Sequence, residues 1–213
     1  MTDTGNTPLN IVICGVGGQG VLTLAEIMAR AALIEGHNVR VGEIHGMAQR
    51  GGHVVCTVRI GPRASGPIVD VGSAHLMIGF EPIETLREIH LIRPDGFVLM
   101  NTHIVYPVAV SMGQSTYPPM EDIRSTIQKF TSHLLEFDAM SLAEEAGSSR
   151  SMNMVMFGAA IGTGLVPIKK DVASEVVASS FPERFREVNL TAFQSGFAAV
   201  QSVSRDTRIT SSD

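Results

Sequence analysis

The apolar run Ile11-Val-Ile-Cys14 ends in Gly15-Val-Gly-Gly-Gln-Gly20, and a long helix-forming run, Val21 to Ile34, begins at once. That order reads as a strand, a tight turn and a helix N-terminus. Such a turn offers free backbone N–H groups and the positive end of a helix dipole to an anion. Its glycines spell Gly-x-Gly-x-x-Gly, the dinucleotide fingerprint. An acid at the end of the second strand, about 20 residues further on, would complete it by binding the ribose hydroxyls of NAD, and Glu43 closes the run Asn-Val-Arg-Val-Gly-Glu near that offset. Two readings stay open: a site for a nucleotide or another phosphate, and a structural turn whose glycines let strand and helix pack.

Periodicity extends the βα alternation. Strands are expected at Asn10 to Cys14, Asn38 to Glu43, His53 to Ile60, His75 to Gly79, Phe97 to Asn101 and His133 to Asp138. The first helix places Leu24, Ile27, Met28, Ala31 and Ala32 on one stripe, and Glu35-Gly36 ends it. A second helix, Ile83 to Leu91, follows Glu81-Pro82, with proline at a favoured helix start. Pro94-Asp95-Gly96 predicts a turn into the next strand, and Pro118-Pro119 opens a helix through Phe130. This alternation predicts an α/β fold, a three-layer Rossmann-like and mainly parallel sheet with helices on both faces.

From Ser141 the pattern is helical only: Leu142 to Ala146, Met152 to Gly164, Lys169 to Ser180, and Pro182 to about Val203. The helix from Met152 is apolar nearly all round, which predicts burial, and its Gly and Ala positions permit close helix approach. One domain over residues 9–203 is expected, between polar tails at 1–8 and 204–213.

Composition removes several function classes. The 213 residues carry a net charge of −5, which argues against nucleic acid or an anionic membrane as main partner. No apolar run reaches the roughly 18 residues of a membrane span, and the polar N-terminus lacks a signal-peptide pattern. A cytoplasmic protein is expected. The two cysteines, Cys14 and Cys56, lie in apolar strand runs as small core residues. Iron–sulfur clusters need about four thiolates, so this chain alone can supply none.

A second polar concentration is Glu43-Ile-His-Gly-Met-Ala-Gln-Arg-Gly-Gly-His53. Arg50 beside Gly51 and Gly52 can pair a guanidinium with unhindered backbone N–H groups, a cradle for phosphate or carboxylate. A structural loop with an Arg50–Glu43 ion pair explains it equally. His45 and His53 lack a third ligand nearby, so no metal site is expected. Ser111, Ser115 and Ser148 lie in loops without a Gly-x-Ser-x-Gly elbow. Asn153 is a lone amide on the apolar helix, a packing or interface device. No catalytic residue is assigned.

The strings Gly15 to Gly20 and Glu43 to Gly52 resemble the gamma subunit or domain of the 2-oxoacid:ferredoxin oxidoreductases, above all the indolepyruvate branch. The likeness continues through Gly79-Phe-Glu-Pro82, Val98-Leu-Met-Asn-Thr102, Asn153-Met-Val-Met-Phe-Gly-Ala159 and Pro182 to Phe193, and covers roughly residues 9–197. The resemblance implies a subunit of a larger enzyme that decarboxylates a 2-oxoacid on thiamine diphosphate, passes electrons through iron–sulfur clusters to ferredoxin and delivers the acyl group to coenzyme A. Thiamine diphosphate and clusters would belong to partner subunits, with no cofactor bound tightly by this chain. The shortage of cysteines agrees, as does the lack of a Gly-Asp-Gly and Asn thiamine diphosphate motif. Since the family uses ferredoxin, Glu43 need not meet a ribose.

On this reading Gly15, Gly17, Gly18, Gln19, Gly20, Glu43, His45, Gln49, Arg50, Gly51 and Gly52 form an anion or coenzyme A path, a partner interface, or a structural turn. The turn and the Ala48 to Gly52 loop are expected together at the C-terminal edge of the sheet. The isolated chain would be inactive and could form a homodimer. A stand-alone NAD-binding dehydrogenase and an orphan nucleotide-binding module are the alternatives. An arylpyruvate is the favoured 2-oxoacid.

Overall fold

The computed structural model describes residues 7–45 and 51–209. Its sheet has six strands in the order β2-β3-β1-β4-β5-β6: β1 Leu9–Val16, β2 Val39–His45, β3 His53–Ile60, β4 Ala74–Gly79, β5 Ile92–Asn101 and β6 His133–Phe137. Helices α1 Val21–Ile34, α2 Pro82–Glu88, α3 Val108–Ser111, α4 Met120–Ile127, α5 Ala139–Glu145, α6 Met152–Gly162, α7 Lys170–Ser180 and α8 Glu183–Ile209 cover it. β1 is buried on both faces, as its unbroken apolar run requires: Ile11 and Ile13 join the core under α1 and α6, and Val12 and Cys14 the core on the face of α2 and α4. The architecture is α/β and Rossmann-like, with helices on both sides.

α1 has the bounds its periodicity predicts, and Leu24, Ile27, Met28, Ala31 and Ala32 are buried. Gly36 stops it in the left-handed region (φ 82°), where its N–H bonds Leu33 O and that of His37 bonds Ala32 O, each at 3.0 Å.

The sheet is mainly parallel, as expected, with one antiparallel strand, and two expected boundaries are corrected. β3 runs antiparallel to both neighbours and inserts between β1 and β2, with Ile13 opposite Cys56 and Cys56 opposite Glu43. The reason is chain length: a parallel return needs a crossover of a dozen or more residues, and the link between His45 and His53 is shorter. Pro94-Asp95-Gly96 is no turn before the strand but lies within β5. Ala74 pairs Ile92 and Leu76 pairs Phe97, so these residues bulge out of the ladder. A Cβ on Gly96 would stand 2.8 Å from Ala74 O, which explains glycine there. α8 also runs to Ile209, past the end expected near Val203.

α6 lies between the sheet and α8 with every residue buried. The two helices meet backbone to backbone. A Cβ on Gly158 would stand 1.9 Å from Phe193 O, and one on Gly196 1.9 Å from Val155 O. The small residues of α6 serve the close approach that the sequence predicts, and Phe157 and Phe193 pack beside it at 5.5 Å.

Candidate functional site at the C-terminal edge of the sheet

The parallel strands all end on one edge, β2 ends there too, and antiparallel β3 begins there. The glycine turn, Gly51-Gly52, His53, Glu81 and the segment after β5 therefore share that edge. In the turn, Gln19 is a brace: its Oε1 accepts from Val16 N (2.7 Å) and its Nε2 donates to Phe80 O (3.3 Å). Gly15 must lack a side chain, since a Cβ would lie 2.7 Å from that of Phe80. Gly18 (φ 104°) and Gly20 (φ 88°) take left-handed conformations that L side chains rarely adopt. Gly20 precedes α1 with no side-chain cap, and no acid sits in the first turn. The first helical bond runs from Leu24 N to Gly20 O (3.0 Å), so the amides before it lack intrahelical acceptors.

The second string meets the first through backbone. Gly17 N donates to Gly52 O (2.7 Å) and Gly51 N to Gly17 O (3.3 Å). Gly51 and Gly52 are thereby held against the turn. Gln49 and Arg50 lie outside the described residues, as does the His45 side chain; the His45 backbone pairs with Val54. Glu43 is exposed on the outermost strand, with β3 between it and β1. It is thus displaced from the position beside β1 that a ribose acid would occupy, because β3 fills that position.

The turn opens onto a cavity of about 570 Å³. Gly18, Gln19, Gly20 and Thr23 form one wall, and Ser148, Ser149, Arg150 and Asn153 come from the segment leading into α6. Phe181, Phe185, Val188 and Met140 add apolar surface. Gly147 (φ 110°) ends α5, and Ser148 Oγ accepts from Arg150 N (3.3 Å) to start a 3₁₀ turn that continues into α6. Among the described residues, Arg150 is the single charged residue of the lining, and no acid lines it. Asn153 is 6% exposed, and its Oδ1 has no hydrogen-bond partner among the described residues. Its Nδ2 lies where a Cβ on Gly20 would stand, at 2.7 Å. Sequence reasoning missed Arg150 and Ser149, and took Asn153 for a packing or interface device. The signal was an amide on a helix otherwise apolar all round.

Beside the turn, both ring nitrogens of His53 face carboxylates: Nδ1 contacts Glu84 Oε2 and Nε2 meets Glu88 Oε1 at 2.9 Å. Glu81 caps α2 by accepting from Glu84 N (3.0 Å), and Tyr117 Oη donates to its other oxygen (2.6 Å). Burial pushes the Glu81 carboxyl above the usual carboxylate range, and burial together with that bond holds Tyr117 as the phenol. Burial also pushes the Cys56 thiol up to about 12 and raises Cys14 well above its ordinary value. Both sulfurs stay protonated inside the sheet.

Residues 10–199 match the family described as pyruvate ferredoxin/flavodoxin oxidoreductase. The chain is 43% identical over 193 residues to the indolepyruvate oxidoreductase subunit IorB of Pyrococcus horikoshii, covering 90% of this chain and 96% of that one. Among solved structures it resembles the gamma subunit of a keto/oxoacid ferredoxin oxidoreductase from Geobacter sulfurreducens, with a TM-score of 0.67, 24% identity, and coverage of 91% and 99%. It also resembles 32% of the chain of a 2-oxoglutarate:ferredoxin oxidoreductase from Magnetococcus marinus, solved with 2-oxoglutarate, coenzyme A and succinyl-CoA, at a TM-score of 0.68, 21% identity and 92% coverage of this chain.

Proposed function

The chain belongs to the pyruvate ferredoxin/flavodoxin oxidoreductase family, and on that premise we propose that it is the subunit of an indolepyruvate-type 2-oxoacid:ferredoxin oxidoreductase that assembles the enzyme without carrying its redox centres. The enzyme as a whole removes CO2 from an arylpyruvate, transfers the acyl group to coenzyme A and leaves the electrons on ferredoxin. Thiamine diphosphate and iron–sulfur clusters sit on the partner and supply the carbanion and electron-transfer chemistry there. This chain's two thiols are buried in paired strands and held protonated, which supports that division. Among the described residues no helix is long and apolar enough to cross a membrane.

The observation that carries this reading is the clamp between Gly17 and Gly51-Gly52. It sets the glycine turn and the end of the family string side by side on one sheet edge. After β5 on the same sheet edge comes α3, none of whose residues is buried; Val108 is 70% exposed and the following Met112 65%. Contiguous exposed apolar residues mark an interaction surface, and this edge faces the partner. His53, pinned between Glu84 and Glu88, anchors the loop from its far side.

Co-expression with the thiamine diphosphate-bearing chain encoded by the same source tests the proposal. The two copurify, and Val108→Asp with Met112→Asp abolishes copurification while the variant keeps the wild-type circular dichroism. Undiminished copurification of that folded variant assigns the interface elsewhere.

A further inference from the structure

Glu81 is an unusual residue with which to start a helix. N-caps favour Asn, Asp, Ser and Thr, whose short side chains turn back onto the first amides. Any of these could accept from Glu84 N, as Glu81 Oε2 does at 3.0 Å. The greater length of glutamate has another use: Oε1 reaches past the cap to Tyr117 Oη at 2.6 Å. Backbone N–H groups of Ile83 and Val105 also favour its charged form. One carboxylate, 1% exposed, thus gathers donors from α2 and from both ends of the segment Val105 to Tyr117. The rings of Tyr106 and Tyr117 meet edge to face at 5.5 Å and close the base of that segment.

Among the described residues, the hydrogen bonds of Val108 to Gln114 run within the segment itself: Val110 N and Ser111 N donate to Pro107 O, Met112 N to Val108 O and Gln114 N to Ala109 O. Every residue from Ser111 to Thr116 is exposed, and no charged side chain occurs from Ile104 to Met120. Tyr106, Val108 and Met112 are 58%, 70% and 65% exposed. Interface cores are poor in charge and rich in Tyr and Met, so this composition suits an apolar groove of the partner chain. We propose that Glu81 is a positioning residue, which holds residues 105–117 as a preformed docking arm for the thiamine diphosphate-bearing partner. The inference rests on the assembly reading and adds the residue that orders the interface. An arm ordered on folding loses little freedom on binding, so the complex is tighter without added contact. Hydrogen bonds to a charged acceptor are roughly twice as strong as neutral ones, which suits a carboxylate to that task.

Two variants separate the arm from the helix cap. Tyr117→Phe keeps the ring against Tyr106 and drops the donor. Glu81→Asp keeps the cap of α2 and falls one methylene short of Tyr117. Hydrogen exchange is measured first on the full chain alone. In both variants the amides of Val110, Met112 and Gln114 exchange about tenfold faster, as loss of one charged hydrogen bond allows, and those of Leu86 to Glu88 keep the wild-type rate. The partner then binds each variant about tenfold more weakly, by the fraction of arm left in its binding form. In the complex the arm regains wild-type protection, a recovery that damage to the contact surface would not give. Wild-type exchange in the arm of Tyr117→Phe overturns the inference, as does wild-type affinity with the arm loosened. Tyr117→Phe leaves the cap untouched, so it decides the matter if Glu81→Asp misfolds. Exchange is read without the partner, whereas Val108→Asp with Met112→Asp scores the assembly reading by copurification, so the two fail on separate measurements.

Discussion

Glycines do opposite work in two regions of this molecule. Where α6 crosses α8, Gly158 and Gly196 lie in ordinary helical conformation, and each is required because a backbone oxygen stands 1.9 Å from where its Cβ would be. In the turn before α1, Gly18 has nothing within 4 Å of a Cβ, and glycine is required there by its φ of 104°. The crossing spends its glycines on contact, whereas Gly18 of the turn serves conformation alone, with open space in front. Contact of the first kind builds stability; space beside uncapped amides is where a ligand or partner fits.

Substitutions can break that contrast. Gly158→Ala gives the largest loss, about 3 kcal/mol or more, because overpacking here meets backbone that no rotamer change relieves; chemical denaturation measures it. Gly20→Ala costs about 1–3 kcal/mol, part from left-handed strain and part from Asn153. Adding Asn153→Ala returns the steric part only. Gly18→Ala costs about 1–2 kcal/mol, since strain is all it introduces. Equal losses at Gly158 and Gly18 would erase the distinction between the regions.

A smaller effect separates them by pH. The crossing residues Val155 to Gly158 and Phe193 to Phe197 contain no titratable group, whereas the edge holds Glu81, 1% exposed, its carboxyl raised by burial. A carboxyl with a raised folded value binds its proton more readily folded than unfolded. Stability therefore falls as pH rises from the ordinary 4.5 through the folded value, then levels. Glu81→Gln keeps an acceptor for Tyr117 and flattens that slope, read from melting temperature against pH. An unchanged slope assigns it to another group.

The local elements were largely legible. α1 matches its predicted bounds because a continuous apolar stripe is interrupted only by Gly36, and the burial of α6 followed from its lack of a polar face. The place of β3 was not, because pairing partners are chosen by non-local packing, although the short link from β2 already excluded a parallel return. Pro94-Asp95-Gly96 carries turn chemistry, and a strand bulge uses the same residues. Half of the candidate site was legible: glycines announce a turn locally. Arg150 and Asn153 join it only because α6 packs beneath the sheet edge, and no local pattern reports that.

We propose that this chain completes an oxidoreductase whose redox centres lie on another subunit, through the edge that carries the glycine turn. The most direct measurement is indolepyruvate-dependent reduction of methyl viologen in the presence of coenzyme A, by this chain, by the thiamine diphosphate-bearing partner and by the two together. Activity is expected from the pair and from neither alone. Turnover by the isolated chain, or full turnover by the partner without it, would contradict that claim.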